Sequence, residues 1–575
     1  MKHAKLALAR HKHIAASNSA QRIAMIGVII VFITIIWLLL SALFINADTN
    51  QTASFQAEAG TKSGNVTTVS DSGASGGSAI RFGGSAEPSG LTAADIQDLR
   101  RWAGTTYASL EAMTNPTTGL AADLINANLS ASSRSRNTSP TNIGLQMWSD
   151  ITAARIGLIT QTEATNRVSK TLNTLATLER HTPSGMFYNW YDITNGQVLT
   201  KWPGSNDTVY PFLSSVDNAW MAAALKIVAN GIPTLKTKAM ALYDSMKFTA
   251  FYNPDTFGGS RPGLFYGGFW AAQPGGGHDS QQGTVNGSTV WFTTNSYDLV
   301  GTETRIISYV AIPKGEVPPA QYFSLKRTFS AGKGYSWTEQ QPSGVSKIYM
   351  GINVYEGTFA YRGMQIMPTW GGSMFEELMP DLVVPEAAWG PKSWAINHPL
   401  AVQAHIQHGM NEAGYGYWGF SPSSNPFSSY KEYGVDEIGI NDKGYYSDKE
   451  ETNVDKGYGT FRAGNNPNPT FGDGVVTPHA SFLALPYAPR AAVDNLKRIE
   501  TNLGAYGAGG FYDAVAVKSN TKAARYLSLD QGMIMGALGN MLDNGLLHRL
   551  YGDANTESAL KPLLTMEEFG SKPAP

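Results

Sequence analysis

Several short segments of this chain set an acid or an amide beside aromatic rings where a loop runs into a helix. They include Phe187-Tyr188-Asn189-Trp190-Tyr191-Asp192, Ser214-Ser215-Val216-Asp217-Asn218 and Thr302-Glu303-Thr304-Arg305-Ile306. Further along come Trp370-Gly371-Gly372-Ser373-Met374-Phe375-Glu376-Glu377, Tyr417-Trp418-Gly419-Phe420-Ser421, Val476-Thr477-Pro478-His479-Ala480 and Leu529-Asp530-Gln531-Gly532-Met533. Hydrolysis of a glycosidic bond needs that mixture: two carboxylates flank the bond, while rings and amides hold the sugars. The bland alternative for each acid is that it complements a helix dipole from the first turn.

The elements that must position these residues read as helices. Thr92 with Asp95, and Thr160 with Glu163, form capping boxes, and Leu91 with Ile96 stands at staple spacing. One apolar stripe joins Ile143, Met147, Ile151, Ala154 and Leu158; another joins Val168, Leu172 and Leu175. Further helices are predicted near 217–230, 235–248, 302–312, 372–379, 399–413, 478–487, 489–502 and 529–542. Pro399, Pro478 and Pro489 suit a first helical position, where a missing N–H costs nothing. The last of these helices is apolar nearly all round, which belongs inside a bundle. Between them run long Gly- and aromatic-rich loops, 258–294, 329–367 and 418–474, expected to wall a cleft, with a short strand near Lys347–Tyr355. The expectation is an all-α domain over 91–550 with minor β elements, followed by a polar tail, 551–575.

Composition narrows the partners. The chain has 575 residues, formal charge −2, 42% hydrophobic and 15% charged residues, and no cysteine. Neutral charge argues against nucleic acid, and the absence of Cys excludes disulfides, thiolate nucleophiles and Cys-ligated zinc. His405 and His408 share a helical face, but no HExxH pattern or third ligand accompanies them. Asp442, Asp448, Glu450, Glu451 and Asp455 lack Ca²⁺-hand spacing. No metal and no cofactor is expected.

At the N-terminus, Lys2, Lys5, Arg10, Lys12 and Arg22 precede an apolar run from Ile23 to Ile45. As a helix at ~1.5 Å per residue it reaches about 35 Å, enough to cross a bilayer. The charge asymmetry predicts a cytoplasmic tail (1–22), a transmembrane anchor (23–45) and everything else extracytoplasmic. Secretion after signal cleavage is the alternative, although Ile45-Asn46-Ala47 is a poor cleavage site. Residues 46–90 read as a Gly/Ser-rich spacer. Within it, Ser54–Gly60 and Gly76–Phe82 resemble the opening strands of a β-sandwich carbohydrate-binding module, too short to be a working one.

The order and wording of the motifs resemble the glucoamylase-like family, which includes the internal domain of cyclic β-1,2-glucan synthases and is related to endo-β-1,2-glucanases. Matching segments run from Asn142-Ile143-Gly144-Leu145 through Asn189–Asp192, Val216-Asp217, Glu303–Ile306, Lys314–Pro318, Gly372–Glu376 and Trp418-Gly419 to Asp530-Gln531-Gly532. The resemblance implies an (α/α)6 barrel with its cleft at one end of the inner helices, and cleavage or transfer of a glucan, β-1,2-linked by the nearest wording. It implies Glu303 as general acid, with Asp217 and Asp192 as candidates for the opposing base or nucleophile. Trp190, Tyr191, Asn218, Trp370, Glu376, Trp418 and Asp530 are the candidate substrate contacts, with Glu376 also able to cap or brace. One physical objection attaches to Glu303: a first-turn site lowers a carboxyl pKa, whereas an acid catalyst needs it raised, which only burial would reverse. A non-catalytic glycan binder and an exo-acting α-glucosidase are the rival readings.

Overall fold

A computed structural model describes residues 66–70, 78–82, 90–329, 340–440 and 471–575. The expected tail and anchor, most of the spacer and the acidic loop around 442–455 lie outside the described residues. Among the described residues, no helix is long and apolar enough to cross a membrane. The chain divides into two units, Met1–Ala86 and Glu87–Pro575. In the first, β1 (Val66–Ser70) pairs antiparallel with β2 (Ser78–Phe82).

The second unit is built from α1 (Ala93–Met113), α2 (Pro140–Arg155), α3 (Gln161–Leu175), α4 (Ser215–Gly231), α5 (Lys236–Ser245), α6 (Ile306–Ala311) and α7 (Met374–Leu378). It continues with α8 (Glu386–Trp389), α9 (Trp394–Gln407), α10 (Pro478–Leu483), α11 (Pro489–Asn502), α12 (Ser528–Leu542), α13 (Leu546–Tyr551) and α14 (Ala554–Met566). Both expected capping boxes form, each with reciprocal side-chain and backbone bonds. α2 packs on α4, α4 on α6, α7 on α10, α10 on α12 and α12 back on α2, while the turn leading into α6 packs on α7. These helices therefore close into an inner ring. Outer helices alternate with them along the chain: α1, α3, α5, the 3₁₀ turn Pro319–Ser324, α9 and α11.

Sequence explains which helices are inner. α4 and α12 are buried on nearly every side, whereas α3 and α11 bury one stripe, such as Ala164, Val168, Leu172 and Leu175. Small residues bring the inner helices close. A Cβ on Gly532 would come within 2.6 Å of Leu145, and one on Gly144 within 3.0 Å of Ala224.

Three expectations are corrected. The segment expected as loop 258–294 folds largely into strands. β4 (Gly268–Trp270), β5 (Ser280–Val285) and β6 (Ser288–Thr293) form an antiparallel sheet with β3 (Phe212–Ser214), in the order β5-β6-β4-β3. Its hairpin turns on Asn286-Gly287, both at positive φ, the two-residue turn that suits the twist of paired strands. Met350-Gly351 does the same between β7 (Ser343–Tyr349) and β8 (Ile352–Tyr361), so the expected strand 347–355 is really two. The domain is thus helical with substantial β additions rather than all-α. Second, Pro399 lies inside α9, because Trp394, wholly buried against Arg305 and His398, draws the helix start back.

Third, residues 551–575 are no polar tail. α14 docks through Leu560, Leu563 and Leu564, and beyond it Glu567 is wholly buried against Arg327, with the Tyr322 hydroxyl donating to its other oxygen at 2.8 Å. Arg327 also stands 3.8 Å from Glu356. Removing one partner of a buried pair strands a charge. Glu567→Gln is therefore expected to lower stability by roughly 3 kcal/mol or more, read as a shift of the urea midpoint.

Candidate active site

The N-termini of the inner helices meet at one end of the ring, and hydrogen bonds trace the circle. From α2, the Thr141 hydroxyl donates to Asp217 Oδ1 of α4 at 2.6 Å. From α4, Trp220 Nε1 donates to Glu303 Oε2 at 2.6 Å. Glu303 begins the 3₁₀ turn Glu303–Arg305 that feeds α6, and its backbone N–H donates to Glu376 Oε2 of α7 at 2.6 Å. A strap at Gly419-Phe420 joins the next pair, since Met374 N donates to Phe420 O and Thr477 N to Gly419 O. His479 of α10 stands 3.7 Å from Asp530 of α12. Asp123 closes the circle: Ser528 N donates to its carbonyl, and Asn142 Nδ2 to its carboxylate at 2.8 Å.

The same position recurs because the same local rule recurs. Ser139, Ser214 and Ser373 cap α2, α4 and α7, each accepting from the backbone N–H three residues on, and those residues are Asn142, Asp217 and Glu376. A residue three positions past its cap points outward near the helix mouth. Converging the inner helices therefore converges these side chains.

Glu303 and Glu376 are surrounded by protein yet retain partial exposure. Burial raises the Glu303 carboxyl well above the ordinary carboxylate range; Glu376 and Asp217 nearby add to this, partly offset by the Trp220 N–H and by Arg305. Burial likewise lifts Glu376 to about 7, against the N–H of Glu303. The objection from the helix dipole is thus met: desolvation and like charge outweigh it. Across the ring lies a second acid group. Burial, then Asp513, raises Asp530 well above its usual range, and Asp513 and Asp123 are raised in the same direction. Asp513 raises Asp530 by like charge, and is itself held by Ser424 N at 2.6 Å. His479 is pushed down to about 3 by burial, so its approach to Asp530 is that of a neutral imidazole and not an ion pair.

The expected site residues separate into two sets. Glu303, Asp217, Glu376 and Asp530 come together on the ring. Asn189, with its amide turned to satisfy both neighbours, donates to Asp217 Oδ2 at 2.9 Å and accepts from Trp190 Nε1 at 3.3 Å, bringing Trp190 to the site. Trp190 meets Trp202 edge-to-face at 5.2 Å, and both Trp190 and Trp370 keep partial exposure, as a sugar platform requires. The others are corrected. Asp192 spends its carboxylate locally, accepting from Thr194 N and Oγ1 and pairing with Arg136, so it clamps a turn. Tyr191 is fully buried, its hydroxyl held between Glu179 O and Tyr188 N. Asn218 is also sealed, with its amide bonded to Phe187 and Ser214 backbone. Trp418 is 1% exposed and fastened by Asn495, so it cannot stack on a ligand.

Beneath the ring lies a buried charged network that sequence reasoning missed. Arg305 grips Glu386 through two bonds, at 2.6 and 2.7 Å, and donates to the carbonyls of Thr302, Glu376 and Glu377. One guanidinium therefore holds the turn of Glu303 and the helix of Glu376 in register. Tyr309 adds a bond to Glu386 at 2.6 Å. His398 places Nδ1 2.7 Å from Glu377 and Nε2 3.2 Å from Glu386. Asp381, Glu386 and His398 lie close enough to hold a cation, but Arg305 already occupies Glu386. Asp513 had a sequence signal: Phe511-Tyr512-Asp513 repeats the aromatic–acid wording. Glu386 and His398 had none.

This network gives a pH prediction. Burial alone would lower the His398 pKa, but Glu377, then Glu386, outweigh it and raise it from 6.5 to about 9. A folded pKa above the unfolded one means full stabilisation below about pH 6.5, lost as pH rises through about 9. The thermal midpoint is expected to fall between about pH 7 and pH 10, and His398→Gln to flatten that fall, seen by calorimetry.

Two family models match the chain: the family described as "putative glucoamylase" over residues 341–555, and a family of unknown function over residues 101–261. The cyclic β-(1,2)-glucan synthase NdvB of Rhizobium meliloti is 28% identical over 263 residues, 44% of this chain. The match spans only 7% of that relative's length. In fold, an endo-β-1,2-glucanase from Chitinophaga pinensis matches with TM-score 0.54 at 16% identity, over 82% of this chain and 98% of its own. One from Talaromyces funiculosus matches with TM-score 0.55 at 12% identity, over 83% and 91%. A Bacteroides uniformis protein described as a "putative glucoamylase" matches with TM-score 0.56 at 16% identity, over 82% and 98%. These findings bear out the resemblance to the glucoamylase-like glycoside hydrolase family. The curated relative is a glucan synthase, and the solved structures that share the fold include endo-β-1,2-glucanases.

Proposed function

We propose that the helical domain cleaves or transfers a β-1,2-linked glucan by carboxylate acid/base catalysis. The observation that carries this reading is the ring itself: Glu303, raised and still open to solvent, shares a mouth of helix N-termini with Asp217, Glu376 and Asp530. Glu303 is the general acid. Trp220 holds one of its oxygens, which leaves the other to protonate the leaving oxygen of the glycosidic bond. Asp217 and Asp530 are the candidates for the opposing carboxylate. The β-1,2 linkage is supported by the names of the glucanases and the synthase that resemble this chain.

The test is product analysis on β-1,2-, β-1,3- and α-1,4-glucans. A ladder of oligosaccharides from the β-1,2-glucan alone is the expected result. Glucose released stepwise from α-1,4-glucan would establish the second reading, an exo-acting α-glucosidase, favoured by the wording of the family match. Tight retention without new reducing ends would make the protein a glycan binder. Comparing Asp217→Asn with Asp530→Asn identifies the partner acid, whose loss alone is rescued by azide. The reading also places the domain outside the cytoplasm, held by the apolar run Ile23–Ile45 behind its basic flank. Protein extracted from membranes by carbonate, or degraded only inside permeabilised cells, would reject that placement.

A further inference from the structure

A cavity of about 300 Å³ opens among α1, α2 and α3, and none of the ring's acids lines it. Its lining comes from α1, α2, α3 and the loop after α1, and includes Glu111, Arg134, Gln146, Asp150, Arg167 and Lys170. Gln146 and Asp150 lie one and two turns along α2 from Asn142, about 6 and 12 Å along its axis. Both are 1% exposed. Asp150 Oδ1 accepts from the Tyr107 hydroxyl at 2.7 Å and from Gln146 Nε2 at 3.2 Å. That leaves Gln146 Oε1 buried with no hydrogen-bond partner. An orphaned buried acceptor costs about 1–3 kcal/mol, a cost that a donor group from a ligand would relieve.

The cations stand at the more exposed edge. Arg167 pairs with Glu111, Arg134 Nε donates to Ala112 O, and Lys170 Nζ donates to Pro116 O, so each is fixed in place. A ligand here meets acceptors at the floor and donors at the rim. A cation would be repelled by the rim, and an anion would face Asp150. Hydroxyl groups donate and accept at once, and the volume suits a ring of six atoms with its substituents. Burial pushes Asp150 up to about 7, and a hydroxyl serves either of its protonation states.

We infer that this wall cavity between α1, α2 and α3 is a binding site for a neutral polyhydroxylated ligand, a single hexopyranose unit, distinct from the cleft. The inference does not depend on the activity proposed for the ring. It is tested with glucose as probe, titrated calorimetrically into the full-length protein and soaked into its crystals, with inorganic phosphate as the anionic control. Expected are glucose density against Gln146 and a binding event weakened roughly tenfold by Lys170→Ala and abolished by Gln146→Leu. Lys170 is at the surface, so its variant separates lost binding from lost folding. Isotherms unchanged in both variants, water alone in the cavity, or phosphate in place of glucose would each overturn it. Cleavage of glucan, assayed in parallel, keeps that failure separate from failure of the proposed activity.

Discussion

Glu303→Gln is expected to reduce kcat on the glucan by ~10²–10⁴-fold while KM changes little. The amide is isosteric and still accepts the Trp220 N–H, so the ring's geometry survives; what disappears is the carboxyl proton that the proposed general acid would deliver to the departing sugar oxygen. Burial first and the neighbouring carboxylates second raise its pKa, the direction that an acid catalyst requires. The wild-type rate should therefore fall on the alkaline side as this proton is lost, and the variant should lack that limb. A substrate with a leaving group that needs no protonation restores the variant if Glu303 is the acid. Near-normal turnover on the natural polymer would remove Glu303 from the chemistry, and a loss that such a substrate does not rescue would mark it as structural.

The second large effect belongs to a residue that touches no substrate. Glu386→Gln is expected to destabilise the domain by roughly 3–5 kcal/mol, measured as a lowered urea midpoint. Arg305 and Glu386 are both completely sealed, and burial, which alone would raise the glutamate, is overcome by Arg305, which holds it at about 2. Removing the carboxylate leaves a sealed guanidinium without the counter-charge it is bonded to. Arg305 also donates to Thr302 O and Glu376 O, so a loosened guanidinium misplaces both acids of the ring. In material that remains folded, kcat should therefore fall more than KM changes. An unchanged midpoint would show that the network is ornamental to the fold.

How much of this was legible beforehand differs from residue to residue. Helix starts at Thr92 and Thr160 were readable because a capping box is local chemistry, complete within four residues. Glu303, Asp217, Glu376 and Asp530 were readable for the same reason, each lying at a loop–helix junction. Asp192, Tyr191, Asn218 and Trp418 carried the same local signature, but packing buried them and satisfied their polar atoms within the protein. The hairpin at Asn286-Gly287 had a signal in its turn residues, yet the glycine-rich segment that contains it, 258–294, read as loop. Glu567 lies 240 residues or more from both Arg327 and Tyr322, a distance over which no periodicity speaks.

Taken alone, the order of residues determined where the side-chain-capped helices begin, which faces are apolar, and which acids stand in first turns, because those follow from contacts a few positions apart. Only the closed ring decided that the acids face one another, that desolvation outweighs the helix dipole at Glu303, and that Arg305 fixes two turns at once. Those outcomes depend on burial and on neighbours brought from remote parts of the chain, and both come into being only when the helices close.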